Sequence, residues 1–147
     1  MPSGTNRIAE LDPNSYLASI TKRVTTFSSE VELRRTISAI YFCLFNYWAA
    51  KAYARGERGP QEEDGFSFSK FSSVLAQNNL GRELITIHSF RTAVDHHILN
   101  PANFPIGDQT VRKLLGSGTR QNISIDTAAL NRILSSANAI LTFLNAI

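Results

Sequence analysis

SEVELRRTISAIYFCLFNYWAAKA, residues 29–52, decides the fold. Ser29-Glu30-Val31-Glu32 fits a capping box, in which the serine oxygen and the second glutamate each satisfy a backbone amide left free at a helix start. Behind it Leu33, Ile37, Ile40, Leu44 and Trp48 recur every three or four positions and so share one helical face. Tyr41, Phe45 and Ala52 widen that face. A face this wide needs several neighbours, so the segment predicts the central helix of an all-helical domain. Gly56 and Gly59-Pro60 end it.

Working outward on the N-terminal side, residues 1–11 read as a loose tail. Asp12-Pro13-Asn14 starts a helix carried by Tyr16, Leu17, Ile20, Val24 and Phe27. On the other side, residues 56–66 are charged and glycine-rich, hence a loop. Ser67 to Asn79 predicts a short helix on Phe68, Phe71, Val74 and Leu75, broken by Asn78-Asn79 and Gly81. The next helix runs from Arg82 to Leu99, stopped at Asn100-Pro101 because the residue before proline avoids helical geometry. Residues 100–123 form an insertion-like loop holding one amphipathic turn, Thr110 to Leu115. Ser124 or Asp126 caps the last helix, whose seam is Leu130, Leu134, Ala137, Leu141 and Leu144. No strand-like alternation persists and no repeat is visible. The expectation is one all-α domain over 1–147, an antiparallel bundle of four main helices plus one or two short ones.

Composition agrees. A chain of 147 residues can bury a core as one domain, and 43% hydrophobic with 18% charged residues excludes a disordered polymer. The net charge of +3 permits a nucleic-acid partner without demanding one. The single cysteine, Cys43, rules out an internal disulfide, and its apolar neighbours predict a buried core thiol. No apolar run is long enough for a membrane span and no signal peptide opens the chain, so a cytoplasmic protein is expected.

The seam Leu80, Leu84, Ile87, Val94, Ile98 has one anomaly: its rhythm places Arg91 between Ile87 and Val94. A guanidinium in an apolar seam needs a partner, because desolvating an unpaired charge costs several kcal/mol. Asp95, one turn on, is the natural candidate. His88 lies one turn before, and His96 and His97 close the same helix. One reading is structural: an Arg91–Asp95 pair with histidines at a helix end or exposed. The other is a site for phosphate chemistry, since arginine grips phosphate oxygens and histidine moves protons near neutrality. On an ideal helix Arg91 and His96 stand about 140° apart. A site built from both therefore needs a distorted helix end or two copies meeting across a symmetric interface. The histidines lack metal-ligand spacing, and neither a phosphate-cradling glycine loop nor a nucleophile elbow is present. No metal and no cofactor is expected.

Three segments resemble the HEPN family of small helical domains. Ser38-Ala39-Ile40-Tyr41-Phe42-Cys43-Leu44-Phe45-Asn46 is similar to the run S-x-A-Y-Y-x-x-F-H on the long helix of prokaryotic members. Arg91-Thr92-Ala93-Val94-Asp95-His96-His97 is similar to R-x-x-A-D-Y-H, and meets the broader Arg-x4-6-His pattern through both His96 and His97. Ser124 to Ile147 is similar to the family's closing helix, with Phe143-Leu144. The resemblance implies a homodimer with a composite site of Arg91 and a histidine from each protomer. In many members that site is a metal-independent endoribonuclease, often a toxin held by a minimal nucleotidyltransferase antitoxin; others are non-catalytic modules that bind a nucleotide or a partner. On the nuclease reading Arg91 holds the scissile phosphate, His96 or His97 moves the proton, and Asp95 orients Arg91, with His88 and Asn46 in support. Lys51, Arg55, Arg58, Arg112, Lys113 and Arg120 are candidates for RNA-backbone contacts. The chain departs from the active pattern at Thr92 and from the commonest long-helix residue at Asn46. Ile98 stands where members modified by their antitoxin carry tyrosine.

Overall fold

The computed structural model describes residues 12–23, 29–56, 67–96, 104–116 and 120–147. They form six helices and one two-residue ladder: α1 (Pro13–Arg23), α2 (Glu30–Ala54), α3 (Phe68–Gln77), α4 (Gly81–His96), β1 (Phe104–Pro105), α5 (Gln109–Leu115), β2 (Arg120–Gln121) and α6 (Thr127–Ala146). The chain is all-α, with the four long elements and two short ones that the periodicity predicts.

α2 is central for the reason its sequence gives. The Ser29 hydroxyl accepts from the Glu32 amide at 3.2 Å, and the Glu32 carboxylate accepts from the Ser29 amide at 3.0 Å, completing the capping box. Leu33, Ile37, Ile40, Leu44, Trp48 and Ala52 are buried along the helix. Each such aliphatic side chain contributes about 2 kcal/mol by leaving water. At the other end Gly56 takes φ +76°, where a glycine carries no Cβ penalty.

α4 packs antiparallel to α2. Arg34 and Ser38, near the start of α2, reach Ala93, Val94 and Asp95 near the end of α4, while Tyr41 meets His88. α6 covers both. Its C-terminal end lies beside that of α2, where the Tyr47 hydroxyl donates to Asn145 Oδ1 at 2.6 Å. Asn14 of α1 and Asn145 exchange amide hydrogen bonds at 3.3 and 2.9 Å, pinning α1 to the same corner. Asp126 rather than Ser124 caps α6, accepting from the Ala129 amide at 2.7 Å.

The segment read as a loop holds more order than expected. β1 and β2 pair antiparallel, Phe104 opposite Gln121 and Pro105 opposite Arg120, and bury Phe104 and Ile106 on the core. Two residues are too short a run to show alternation. Asp108 caps α5, its Oδ1 accepting from the Val111 amide at 3.0 Å, while Oδ2 accepts from the Ser72 hydroxyl at 3.0 Å. One carboxylate therefore starts α5 and ties it to α3. Val24, Phe27, Arg58, Gly59-Pro60, Ile98 and residues 1–11 lie outside the described residues.

Candidate functional site

Arg91 is where the sequence places it, at the edge of the α4 seam, with only 14% of its side chain exposed. Three rings collar the guanidinium. Its central carbon lies 5.4 Å from the ring centres of Tyr41 and Phe42 and 5.0 Å from that of Phe68. Those rings come from α2 and from the first residue of α3. Each such contact stabilises the cation by about 0.5–1 kcal/mol, which offsets part of its desolvation.

The expected carboxylate partner is present. Arg91 Nε lies 3.2 Å from Asp95 Oδ2, close enough for an ion pair but without the alignment of a hydrogen bond. The same Oδ2 accepts from the Ser38 hydroxyl at 3.2 Å. Asp95 is thus held from α2 on one side and faces Arg91 on the other. One turn earlier on α2, Arg34 pairs with Glu30 at 2.8 Å and donates from Nη1 to the carbonyls of Ala93 and Val94, both at 3.3 Å. A cation bonded to the last carbonyls of α4 matches the negative end of that helix.

The histidines separate. His88 is 6% exposed, inside the core against Tyr41, not on the surface or at a helix end as the structural reading allows. Burial pushes its imidazole below the ordinary histidine value; Arg91 acts the same way and Asp108 opposes them. His88 is therefore neutral and enclosed, suited to packing rather than to exchanging protons with a substrate. His96 is the last residue of α4 and is exposed. His97 lies outside the described residues.

Asn46 does not join Arg91. It is exposed one turn beyond Phe42 and lines a groove of about 600 Å³ between α1 and α2, with Tyr16, Ala39, Phe42, Cys43 and Tyr47. Cys43 forms part of that wall, half-buried, which corrects the expectation of a core thiol. Burial raises its thiol to about 11, with Asp12 adding to the shift, so it stays protonated. Lys51 and Arg55 stand near the far end of α2, nine and thirteen positions from Phe42, the latter about 20 Å along the axis. Arg112 and Lys113 are exposed on α5 and Arg120 on β2. Among the described residues no group of three or more His, Cys, Asp or Glu side chains is placed to hold a metal. No described helix is long and apolar enough to cross a membrane.

Sequence reasoning missed three participants. Ser38 and Arg34 bind the end of α4 across sixty positions of chain, a long-range link that no local spacing reports. Asp108 could have been found, since an aspartate three residues before Val111 at the head of an amphipathic turn is an N-cap signal. Comparison with known proteins finds no matching family, no matching curated protein and no matching solved structure.

Proposed function

We propose that this chain is a HEPN-like, metal-independent endoribonuclease of the toxin type, acting as a homodimer. The observation that carries the reading is Arg91: a permanent cation in an aromatic collar, oriented by Asp95, five positions before an exposed histidine. In the proposed reaction a histidine accepts the 2′-hydroxyl proton and the 2′-oxygen attacks the adjacent phosphorus. The bond to the 5′-oxygen breaks and that oxygen takes a proton from a second histidine. A 2′,3′-cyclic phosphate and a 5′-hydroxyl result. Arg91 stabilises the negative charge that builds on the phosphoryl oxygens. His96 or His97 supplies the proton transfers, one from each protomer, because one helix turns Arg91 and His96 apart. A minimal nucleotidyltransferase is the proposed antitoxin partner.

One observation favours a second reading. With 14% of its side chain exposed, a carboxylate at 3.2 Å and three rings around it, Arg91 is enclosed and charge-paired without any substrate, though its Nε makes no hydrogen bond. That suits a non-catalytic dimer module binding a nucleotide or a partner protein. Incubating RNA with the wild type, Arg91→Ala, His96→Ala and His97→Ala in a chelator decides between them. Cleavage by the wild type, lost in Arg91→Ala and in one histidine variant, is expected. Equal background in all four ends the nuclease reading.

A further inference from the structure

We propose that the face of α2 left uncovered by the described residues is a track for single-stranded RNA that leads to the Arg91 site. This rests on the ribonuclease reading above and adds the substrate class and its path. Two clefts lie along this face. One, of about 350 Å³, runs beside the end of α4 and is bounded by Arg35, Ser38 and Asp95. The other is the groove between α1 and α2. Both are walled by Ala39 and Phe42, so the two clefts adjoin there. From Arg35 to Ala50 the two clefts follow α2 for about 22 Å, with Lys51 next beyond them.

The chemistry of this face changes along its length. At one end is the exposed guanidinium of Arg35. Phe42, Tyr16 and Tyr47 line the middle, with the exposed amide of Asn46 among them. At the other end the Lys51 ammonium lies 5.4 Å over the Tyr47 ring. Cations at the ends and aromatic faces between them match single strands, whose phosphates seek charge and whose unpaired bases stack on rings. Phe42 is shared: its ring also touches the Arg91 guanidinium, so a strand lying on it reaches the proposed scissile position. A duplex hides its base faces and offers the clefts only a backbone.

Charge favours a polyanion over a second copy of the chain. Pairing this face with itself about a twofold axis, helices antiparallel, brings Arg35 towards Lys51 of the other copy. Of the described carboxylates nearby, Glu30 is paired with Arg34 and Asp95 with Arg91, while Glu32 and Asp12 accept hydrogen bonds from Ser29 and Ser15, which do not cancel a charge. Arg35 stands exposed at one end of the face, and at the other Lys51 donates to the Ile147 oxygen at 3.4 Å while keeping its own charge.

The test is binding, read apart from cleavage. A labelled single-stranded RNA, 2′-O-methylated throughout so that no 2′-oxygen can attack, is titrated by fluorescence anisotropy beside the same strand in a duplex. The single strand is expected to bind about tenfold more tightly than the duplex. Arg35→Glu should weaken it and lower the slope of log affinity against log salt by about 0.7 or more. Ala39→Trp, which fills the point where the clefts adjoin, should weaken binding about tenfold. Should Ala39→Trp fail to fold, the salt slope of Arg35→Glu, a change at an exposed position, decides. Wild-type affinity in both variants, or equal affinity for the duplex, overturns the track. So does a wild-type dimer that Ala39→Trp splits without loss of RNA affinity, which gives the face to a second copy. Binding with these sensitivities but no cleavage of unmodified RNA sinks the nuclease reading and leaves the track standing; cleavage that both variants retain does the reverse.

Discussion

The Ser38 hydroxyl donates to Asp95 Oδ2 at 3.2 Å, and that same oxygen lies 3.2 Å from Arg91 Nε. The serine therefore sets the carboxylate that sets the arginine. Removing either charge has unequal consequences. Arg91→Met keeps the stem volume and leaves a carboxylate that is 25% exposed and still bonded to Ser38. Asp95→Ala leaves a cation enclosed by rings with no carboxylate. We expect Asp95→Ala to cost about 1–2 kcal/mol in urea unfolding and Arg91→Met about 1 kcal/mol less. The opposite order shows that Arg91, not Asp95, is the group that stability needs.

His88 makes stability depend on pH. Burial holds its folded value below the ordinary 6.5, so the unfolded chain takes up the proton first. Its contribution is whole above 6.5 and is lost as pH falls from there through the folded value. The slope approaches about 1.4 kcal/mol per pH unit between the two values. Urea midpoints taken from pH about 7.5 to about 5 should fall for the wild type and stay flatter for His88→Phe. Parallel curves exclude His88 as the titrating group.

Tyr41 buries a hydroxyl with no hydrogen-bond partner, while its ring packs on Arg91, Phe71 and Phe68. Deleting an unpaired buried hydroxyl removes only its desolvation penalty. Tyr41→Phe should hold or gain stability by up to about 1 kcal/mol, whereas Tyr41→Ala should lose about 3–5 kcal/mol. A clear loss in Tyr41→Phe, measured by thermal unfolding, reveals a partner for that oxygen.

Asp108 and Asp126 both cap helices, but only Asp108 also accepts from a fully buried serine hydroxyl. Asp126→Ala should cost about 1 kcal/mol. Asp108→Ala should cost about 1–2 kcal/mol more, and Ser72→Ala added to it should recover part of the difference. Equal costs for the two caps would falsify the claim that the Ser72 bond matters.

Much of the fold was legible because it is written in local spacing. The Ser29–Glu32 box and the stripe from Leu33 to Trp48 specify α2 without knowledge of anything else. The break at Asn78-Asn79 was readable too, and Asn79 adopts φ 63° there. Arg91 stood out because a charge interrupted an apolar rhythm, and Asp95 followed from helix geometry. What stayed hidden was tertiary. His88 has the same spacing whether it faces solvent or Tyr41. Asn46 and Phe42 are one turn apart on α2, yet only Phe42 meets the arginine. Residues 104–105 and 120–121 pair across a distance that no short window spans.

Arg34 belongs to the opening turn of one helix and bonds to the closing turn of another. Fraying at either terminus has to break the same guanidinium contacts, so the two ends are expected to open together. Hydrogen exchange at the tail of α4 should therefore quicken in Arg34→Ala, a change about sixty positions upstream. Any ligand that draws Arg34 away loosens the very turn that presents His96.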